Sequence, residues 1–176
     1  KKASLDELKG IYGDVPDPEL TAGQAVVRVR ACALNYLDIW VRRGWPGLKL
    51  QMPHWCGADV AGEILALGPG VTGWSIGQHV VIDPGISLVD DEFTRRGECS
   101  VSPGYHIIGE HVRGGAAEVI SVPAGNLAAL PDGMGFPEAA AMKDRRRLPG
   151  RNRISPSCQF GRELGFAVEA RPFSRR

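Results

Sequence analysis

Apolar and polar positions alternate along QAVVRVRACA (24–33), with β-branched residues and with Arg28 and Arg30 alternating to solvent. This pattern predicts a strand with one side toward solvent. The spacing turns helical in NYLDIWVRRG (35–44), where a basic last turn and Gly44 mark the stop. After a loop at WPGLKLQMP, CGADVAGEILALGPGV (56–71) reads as a strand pair interrupted by small residues. Gly57, Ala61 and Gly62 there predict close backbone approach or a bulge. GWSIGQHVVID (73–83) predicts a turn and a strand, and residues 84–104 a long polar loop punctuated by Gly and Pro. HVRGGAAEVISVPAGNLAALPDGM (111–134) predicts a strand with a turn at Gly114-Gly115, then turns at PAGN and LPDGM. FPEAAAM opens a helix with Pro137 in its first turn. Residues 1–13 are weakly patterned, and DVPDPELTAGQ is a turn region leading into the first strand. Short strands at intervals of roughly 8–15 residues, with two short helices before Met142, predict a mainly β, mostly antiparallel barrel or sandwich without internal repeats.

The pattern breaks at MKDRRRLPGRNR (142–153), which carries five arginines and a lysine. Charge divides at the same place. Residues 143–176 hold ten Lys/Arg against three Asp/Glu, a net of +7, while residues 1–142 hold eleven against seventeen, a net of −6. We therefore divide the chain into a domain at 1–142 and a basic tail at 143–176. A basic tail suits nucleic acid or an acidic membrane surface. In this one the arginine-rich stretch at 143–153 has no interleaved aromatics and the tail no nucleic-acid motif, so a solvated segment is the expectation and nucleic acid is not an expected partner. No apolar run reaches the length of a membrane span, and no signal peptide is recognisable.

The four cysteines, Cys32, Cys56, Cys99 and Cys158, form no CxxC pair and have no histidine at zinc spacing. Reduced thiols in a cytoplasmic protein are expected. Cys32 and Cys56 read as small buried apolar residues, and His54, in a loop after Pro53, as a surface or supporting residue.

Three segments carry a resemblance. PDPEL…GQAVVRVRACALNYLDIWVRRG, GADVAGEILALGPGVTGWSIGQHVVIDPG and GGAAEVISVPAGNLAALPDGMGFPEAAA resemble the N-terminal GroES-like domain of medium-chain dehydrogenase/reductases, over roughly residues 14–142. The turn-to-strand signature in GPGVTGWSIGQHVV is the most specific part. The resemblance implies a partly open barrel with short helices that supplies the substrate side of a cleft. A following Rossmann domain would supply the cofactor side, NADPH or NADH.

The family's two metal sites can be tested on this chain. The catalytic zinc of its alcohol dehydrogenases needs a cysteine and a histidine where this chain has Asn35 and Ala58, the latter within Gly57-Ala58-Asp59. Neither can supply a thiolate or an imidazole, so no catalytic zinc is expected. The structural-zinc loop should carry four cysteines where Leu88, Asp91, Thr94 and Ser102 stand, so no structural zinc is expected either. That absence predicts a mobile loop, since such an ion supplies the folding energy of its lobe. Asn35 and Asp38 fit the L-N-x-x-D pattern of zinc-independent quinone oxidoreductases. By that resemblance Asn35 and Asp38 are the candidate catalytic residues: Asn35 offers its amide to substrate or nicotinamide, and Asp38 orients its neighbours. Tyr36 and Trp40 are the candidate cofactor-side residues. Asn35 is equally a good helix N-cap, and Asp38 at the third helical position suits the helix dipole.

A family member should continue into a strand and a glycine-rich turn that binds pyrophosphate. Residues 143–176 hold no G-x-G-x-x-G. QFGRELGFAVEA (159–170) resembles a Rossmann helix and strand, so the tail is expected to be an incomplete Rossmann remnant, irregular or loosely docked. A lone strand of that kind cannot form a covered parallel sheet, and an uncovered apolar barrel surface favours self-association. Two readings follow. The first is a truncated zinc-independent oxidoreductase, transferring hydride to a quinone, enone or carbonyl in the intact family and inactive alone. The second is a non-catalytic GroES-like module that binds protein or dimerises.

Overall fold

The computed structural model describes residues 13–87 and 89–142, and the backbone of residues 166–169. Five strands form the main sheet: β1 (Gln24–Leu34), β2 (Asp59–Leu67), β3 (His79–Ile82), β6 (Val119–Pro123) and β7 (Leu127–Ala129). They lie in the order β6-β1-β2-β3-β7, every neighbouring pair antiparallel. Strands β4 (Gly85–Ser87) and β5 (Tyr105–Ile107) make a second small sheet. Three short α-helices, α1 (Tyr36–Arg43), α2 (Glu92–Arg95) and α3 (Phe136–Ala140), and two single-turn 3-10 helices, Cys99–Val101 and Ala124–Asn126, are the helical elements among the described residues. The mainly β, antiparallel architecture is the one the sequence pattern predicted.

Strand β1 organises the core because it changes faces midway. Ala25, Val27 and Val29 point into the larger core with Val60, Ile64, Val80, Ile82, Ile108 and Val122. Ala31 and Ala33 point into a second cluster with Ala61, Val81, Ala139 and Ala140, where α3 covers the sheet's other side. The switch falls at Arg30, an extra residue opposite β2 between the pairs Val29↔Gly62 and Ala31↔Ala61. A bulge of this kind inverts the in–out alternation. A second irregularity, at Leu65 between Val26↔Ala66 and Val27↔Ile64, lies on β2 and compensates the first, so the register beyond Arg30 matches that before Val27. Ala33 is thereby set opposite Asp59. Arg30 does not alternate cleanly to solvent as Arg28 does; it is half-buried and donates to Glu63 at 2.8 Å. Each fully buried core valine or isoleucine contributes roughly 1.5–3 kcal/mol of transfer free energy.

Two expectations need correction. Residues 56–71 hold one strand, β2, rather than an interrupted pair. Gly62 does not break it, because its missing Cβ leaves room for the Arg28 carbonyl of β1, on which a side-chain carbon would fall. The loop at 84–104 is also more organised than predicted, holding β4, α2 and a hydrogen-bonded cluster described below.

In the tail, the only described residues form β8 (Phe166–Glu169). It pairs antiparallel with Ala31–Leu34, on the stretch of β1 beyond the part that β6 covers. These residues, expected to be a remnant of a parallel sheet or irregular chain, thus add a strand to the barrel sheet. The arginine run at 145–147 and Cys158 lie outside the described residues.

Candidate active site

The end of β1 leads directly into α1, and Asn35 is the junction. It has extended backbone geometry, and its side chain caps the helix by accepting from the Leu37 N–H at 2.9 Å and from the Asp38 N–H. Asp38 returns the bond: its Oδ2 accepts from the Asn35 backbone N–H at 2.8 Å. This reciprocal capping box follows from an Asn and an Asp three residues apart. The second carboxylate oxygen of Asp38 accepts from the Gly57 N–H at 2.9 Å, tying the helix start to the loop before β2. The Asn35 Nδ2 donates to Asp59 Oδ2 at 3.0 Å. Asn35, Asp38, Gly57 and Asp59 thus converge from three elements.

Gly57 fits only as glycine. Its φ is +98°, and a Cβ there would lie 2.7 Å from both Cys32 Sγ and the Ala116 nitrogen. The loop around it is fastened from below, where the Gly114 N–H donates to the Trp55 carbonyl and the Gly115 N–H to Gly57. Arg113 stacks over the Trp55 ring at 4.8 Å and donates to the Pro53 carbonyl. His54 is a half-buried supporting residue, its Nε2 3.3 Å from the Gly109 carbonyl.

Partial burial and the nearby charges of Asp38, Asp59 and Arg42 set the electrostatics of the site. Burial pushes the Cys32 thiol up to about 12, and the charges of Asp38 and Asp59 push the same way. Cys56 is also raised, by burial and then by Asp38, with Arg42 opposing. Both thiols are partly rather than fully buried. They stay protonated and unreactive at neutral pH.

Tyr36 and Trp40 sit one helical turn apart on the outer face of α1, their rings 6.2 Å apart at 45°, and each is just over half exposed. The structure places them beside Asn35 in sequence but brings neither into its hydrogen-bond network. Two open clefts of about 490 and 500 Å³ run along Pro131–Met134, and neither is lined by Asn35, Asp38 or Asp59.

A catalytic zinc does not fit here. Asn35 is committed to hydrogen bonds, Ala58 is buried with no donor atom, and no group of three or more His, Cys, Asp or Glu among the described residues could hold a metal ion. Three of the four positions of the second metal site do come together, without a metal donor set. Asp91 Oδ1 accepts from the Phe93 and Thr94 N–H groups at 3.0 and 2.8 Å, and its Oδ2 accepts from Ser102 Oγ at 2.6 Å. Leu88 lies outside the described residues. Among the described residues no dinucleotide cradle is evident. Gly68-Pro69-Gly70-Val71-Thr72-Gly73 spells G-x-G-x-x-G, but it joins β2 to β3. No helix N-terminus follows to receive a pyrophosphate.

The profile of the alcohol dehydrogenase GroES-like domain matches residues 21–132. The chain belongs to that family. Among curated relatives of this GroES-like domain, a crotonyl-CoA reductase of Streptomyces avermitilis is 32% identical over 155 residues, covering 77% of this chain and 35% of that protein. An L-threonine 3-dehydrogenase of Ruegeria pomeroyi is 31% identical over 119 residues, covering 66% and 35%. Among solved structures, an NAD-dependent alcohol dehydrogenase superposes with a TM-score of 0.71 at 45% identity, covering 74% of this chain and 38% of that one. The chain therefore spans between a third and two fifths of the relatives it matches. The barrel and the medium-chain dehydrogenase/reductase kinship implied by the three sequence segments are both shown. No helix among the described residues is long and apolar enough to cross a membrane.

Asp59 is the site residue that sequence reading left without a role. Its signal was its place in Gly57-Ala58-Asp59, where the metal argument drew attention to Ala58 instead.

Proposed function

We propose that residues 1–142 form the substrate-side domain of a zinc-independent, NAD(P)H-dependent oxidoreductase that reduces a quinone, an enone or another carbonyl, with residues 143–176 as an accessory segment. The observation that carries this reading is the Asn35 amide, held at the mouth of α1 between a capping box and Asp59 where a metal ligand would otherwise stand. Without a Lewis acid, carbonyl reduction needs hydrogen-bond donors aimed at the oxygen that gains negative charge. Asn35 has a donor of that kind. Asp38 holds the Asn35 backbone and the Gly57 loop in one geometry, so it positions rather than reacts. Tyr36 and Trp40 supply an exposed aromatic face for the nicotinamide side of the cleft. The cofactor, when bound, supplies the hydride. The described residues hold no pyrophosphate cradle, so we place that function elsewhere in the whole protein and expect this chain alone to have little activity. The substrate is a small molecule, the compartment the cytoplasm, and self-association the expected contact.

Fluorescence titration of the whole protein with NADPH and NADH tests the reading. Saturation in the micromolar range, with consumption of NADPH on adding an enone such as 2-cyclohexenone, supports it. Absence of binding up to millimolar cofactor by the whole protein favours the non-catalytic barrel module.

A further inference from the structure

The edge of β1 that faces away from β2 is covered by two separate pieces of chain. β6 pairs with Gln24–Arg28, and the Val29 N–H donates to the Glu118 carbonyl at 2.9 Å. That run stops at Arg30, the extra residue opposite β2. Beyond it β8 pairs antiparallel with Ala31–Leu34, in the register Ala31↔Glu169, Cys32↔Val168, Ala33↔Ala167 and Leu34↔Phe166. Backbone groups of a strand face its two edges alternately, so half of the N–H and C=O groups of Ala31–Leu34 point at β8. The stretch Ala31-Cys32-Ala33-Leu34 carries neither charge nor proline. Those are the residues with which natural strand edges avoid pairing with other chains. Leu34 and, just past it, Tyr36 and Trp40 are each just over half exposed.

We infer that β8 guards this edge: residues 166–169 close a strand-pairing surface at Ala31–Leu34 whose other partner is the same stretch of a second copy of the chain. Two copies of one edge meet about a two-fold axis, and strands related in that way run antiparallel. β8 also runs antiparallel to β1, so the second copy offers the same kind of ladder in its place. Such a pairing carries the main sheet from one molecule into the next. The exposed Leu34, Tyr36 and Trp40 add apolar area at its rim. Within one chain the tail strand wins because a tethered strand competes at high effective concentration. The tail thus has a role other than that of a Rossmann remnant. That role does not depend on the oxidoreductase reading, and its surface is distinct from a barrel face left bare by a missing domain.

The test compares the full chain, unmodified and carrying Ala167→Pro together with Val168→Pro. Two consecutive prolines remove a ladder N–H whichever of the two residues turns it toward β1. In the unmodified chain, hydrogen exchange should find the Ala31–Leu34 amides that point away from β2 protected. Free exchange there overturns the proposal without any variant. In the dilute double-proline chain the same amides should lose protection. The amides of Ile64 and Leu130, bonded to the Gln78 and His79 carbonyls, should keep theirs. Unchanged protection at Ala31–Leu34 in the variant overturns the guard. On concentration into the range of weak dimers, roughly 0.1–1 mM, sedimentation should show the variant's mass doubling relative to the unmodified chain, with protection at Ala31–Leu34 regained. No change of mass, or doubling without regained protection, overturns the second copy as partner. A synthetic peptide of residues 165–171 should reverse the doubling, and the same peptide with both prolines should not. Equal action of the two peptides overturns strand pairing. Where lost protection at Ile64 and Leu130 shows that the prolines open the barrel itself, Ala167→Gly with Val168→Gly weakens the strand without removing a donor and is read in the same way.

Discussion

The start of α1 and the start of α2 are built alike and finish differently. Each opens with a capping box, Asn35 with Asp38 and Asp91 with Thr94. Each stands where the dehydrogenase resemblance implies a metal ligand. Around α2 the side chains of Asp91, Thr94 and Ser102 find their partners within the lobe. Asp91 takes three donors, Thr94 Oγ1 accepts from the Asp91 N–H and donates to its carbonyl, and Ser102 Oγ accepts from the Gly104 N–H while donating to Asp91. Around α1 the bonds reach outward to Gly57 and Asp59 and leave one amide hydrogen over. A closed network is a clasp that replaces an ion's fastening role. A network with a donor to spare is a candidate for binding. The same local motif serves both, and its surroundings decide which.

The most disruptive way to break this contrast is Asp38→Ala. It strips an acceptor from two backbone N–H groups at once, and loss of about 2–4 kcal/mol is expected from unpaired buried donors. Urea unfolding measures it, and a loss no larger than that of an exposed substitution would mean that Asp38 does not anchor the site. Cys32 sharpens the contrast chemically. With its thiol raised to about 12, alkylation by iodoacetamide at pH 8 should be on the order of 100-fold slower in the folded chain than in urea. Asp59→Asn should speed it by removing one opposing charge, and an unchanged rate would mean the site's field does not reach the thiol. On the clasp side, Ser102→Ala removes two part-buried hydrogen bonds, the one to Asp91 and the one from the Gly104 N–H, at a cost of about 1–2 kcal/mol. Faster amide exchange should be confined to Glu92–Arg96, with the Asn35 amide undisturbed. Spread of the effect to Asn35 would show that the two clusters are coupled.

The smallest effect is on the acid limb. Asp91 is held below the ordinary aspartate range, first by the Ser102 hydroxyl and then by the Thr94 N–H. Its stabilisation is therefore complete above the unfolded value of about 3.9 and is lost as pH falls through the lower folded value. Asp91→Asn should flatten stability against pH in that acid window and leave the neutral range unchanged. Glu63 is also lowered, chiefly by its bond from Arg30, and supplies an internal control that keeps its slope in this variant.

Local patterns were legible and distant ones were not. The strand at 24–33 and the helix at 35–44 were readable because a side-chain period and a three-residue capping spacing are properties of contiguous chain. The four-residue helix α2 and the three-residue strand β4 were absorbed into the predicted loop at 84–104, and the three-residue strands β5 and β7 fell in stretches given no strand, because segments so short carry no period. Close backbone approach at Gly62 was legible from its residue type, but nothing local says that it is the Arg28 carbonyl of β1 that needs the space. The likeness to the dehydrogenase barrel was legible in turn residues such as those of GPGVTGWSIGQHVV, which fix backbone geometry directly. Asp59 was not legible as a partner of Asn35, because 24 residues separate them.

By itself, then, the sequence determined the mainly β barrel, the family and the capping box at Asn35 and Asp38, each of which depends on residue type at short spacing. Only the tertiary structure decided that two compensating irregularities in β1 and β2 would restore the register at Ala33, and that Asp59 would therefore meet the Asn35 amide. It likewise set Ser102 against Asp91 across eleven residues of loop. The physical reason is the same in both places. A hydrogen bond between distant residues depends on where the intervening backbone is carried, and strand pairing and core packing set that path, not the residues that make the bond.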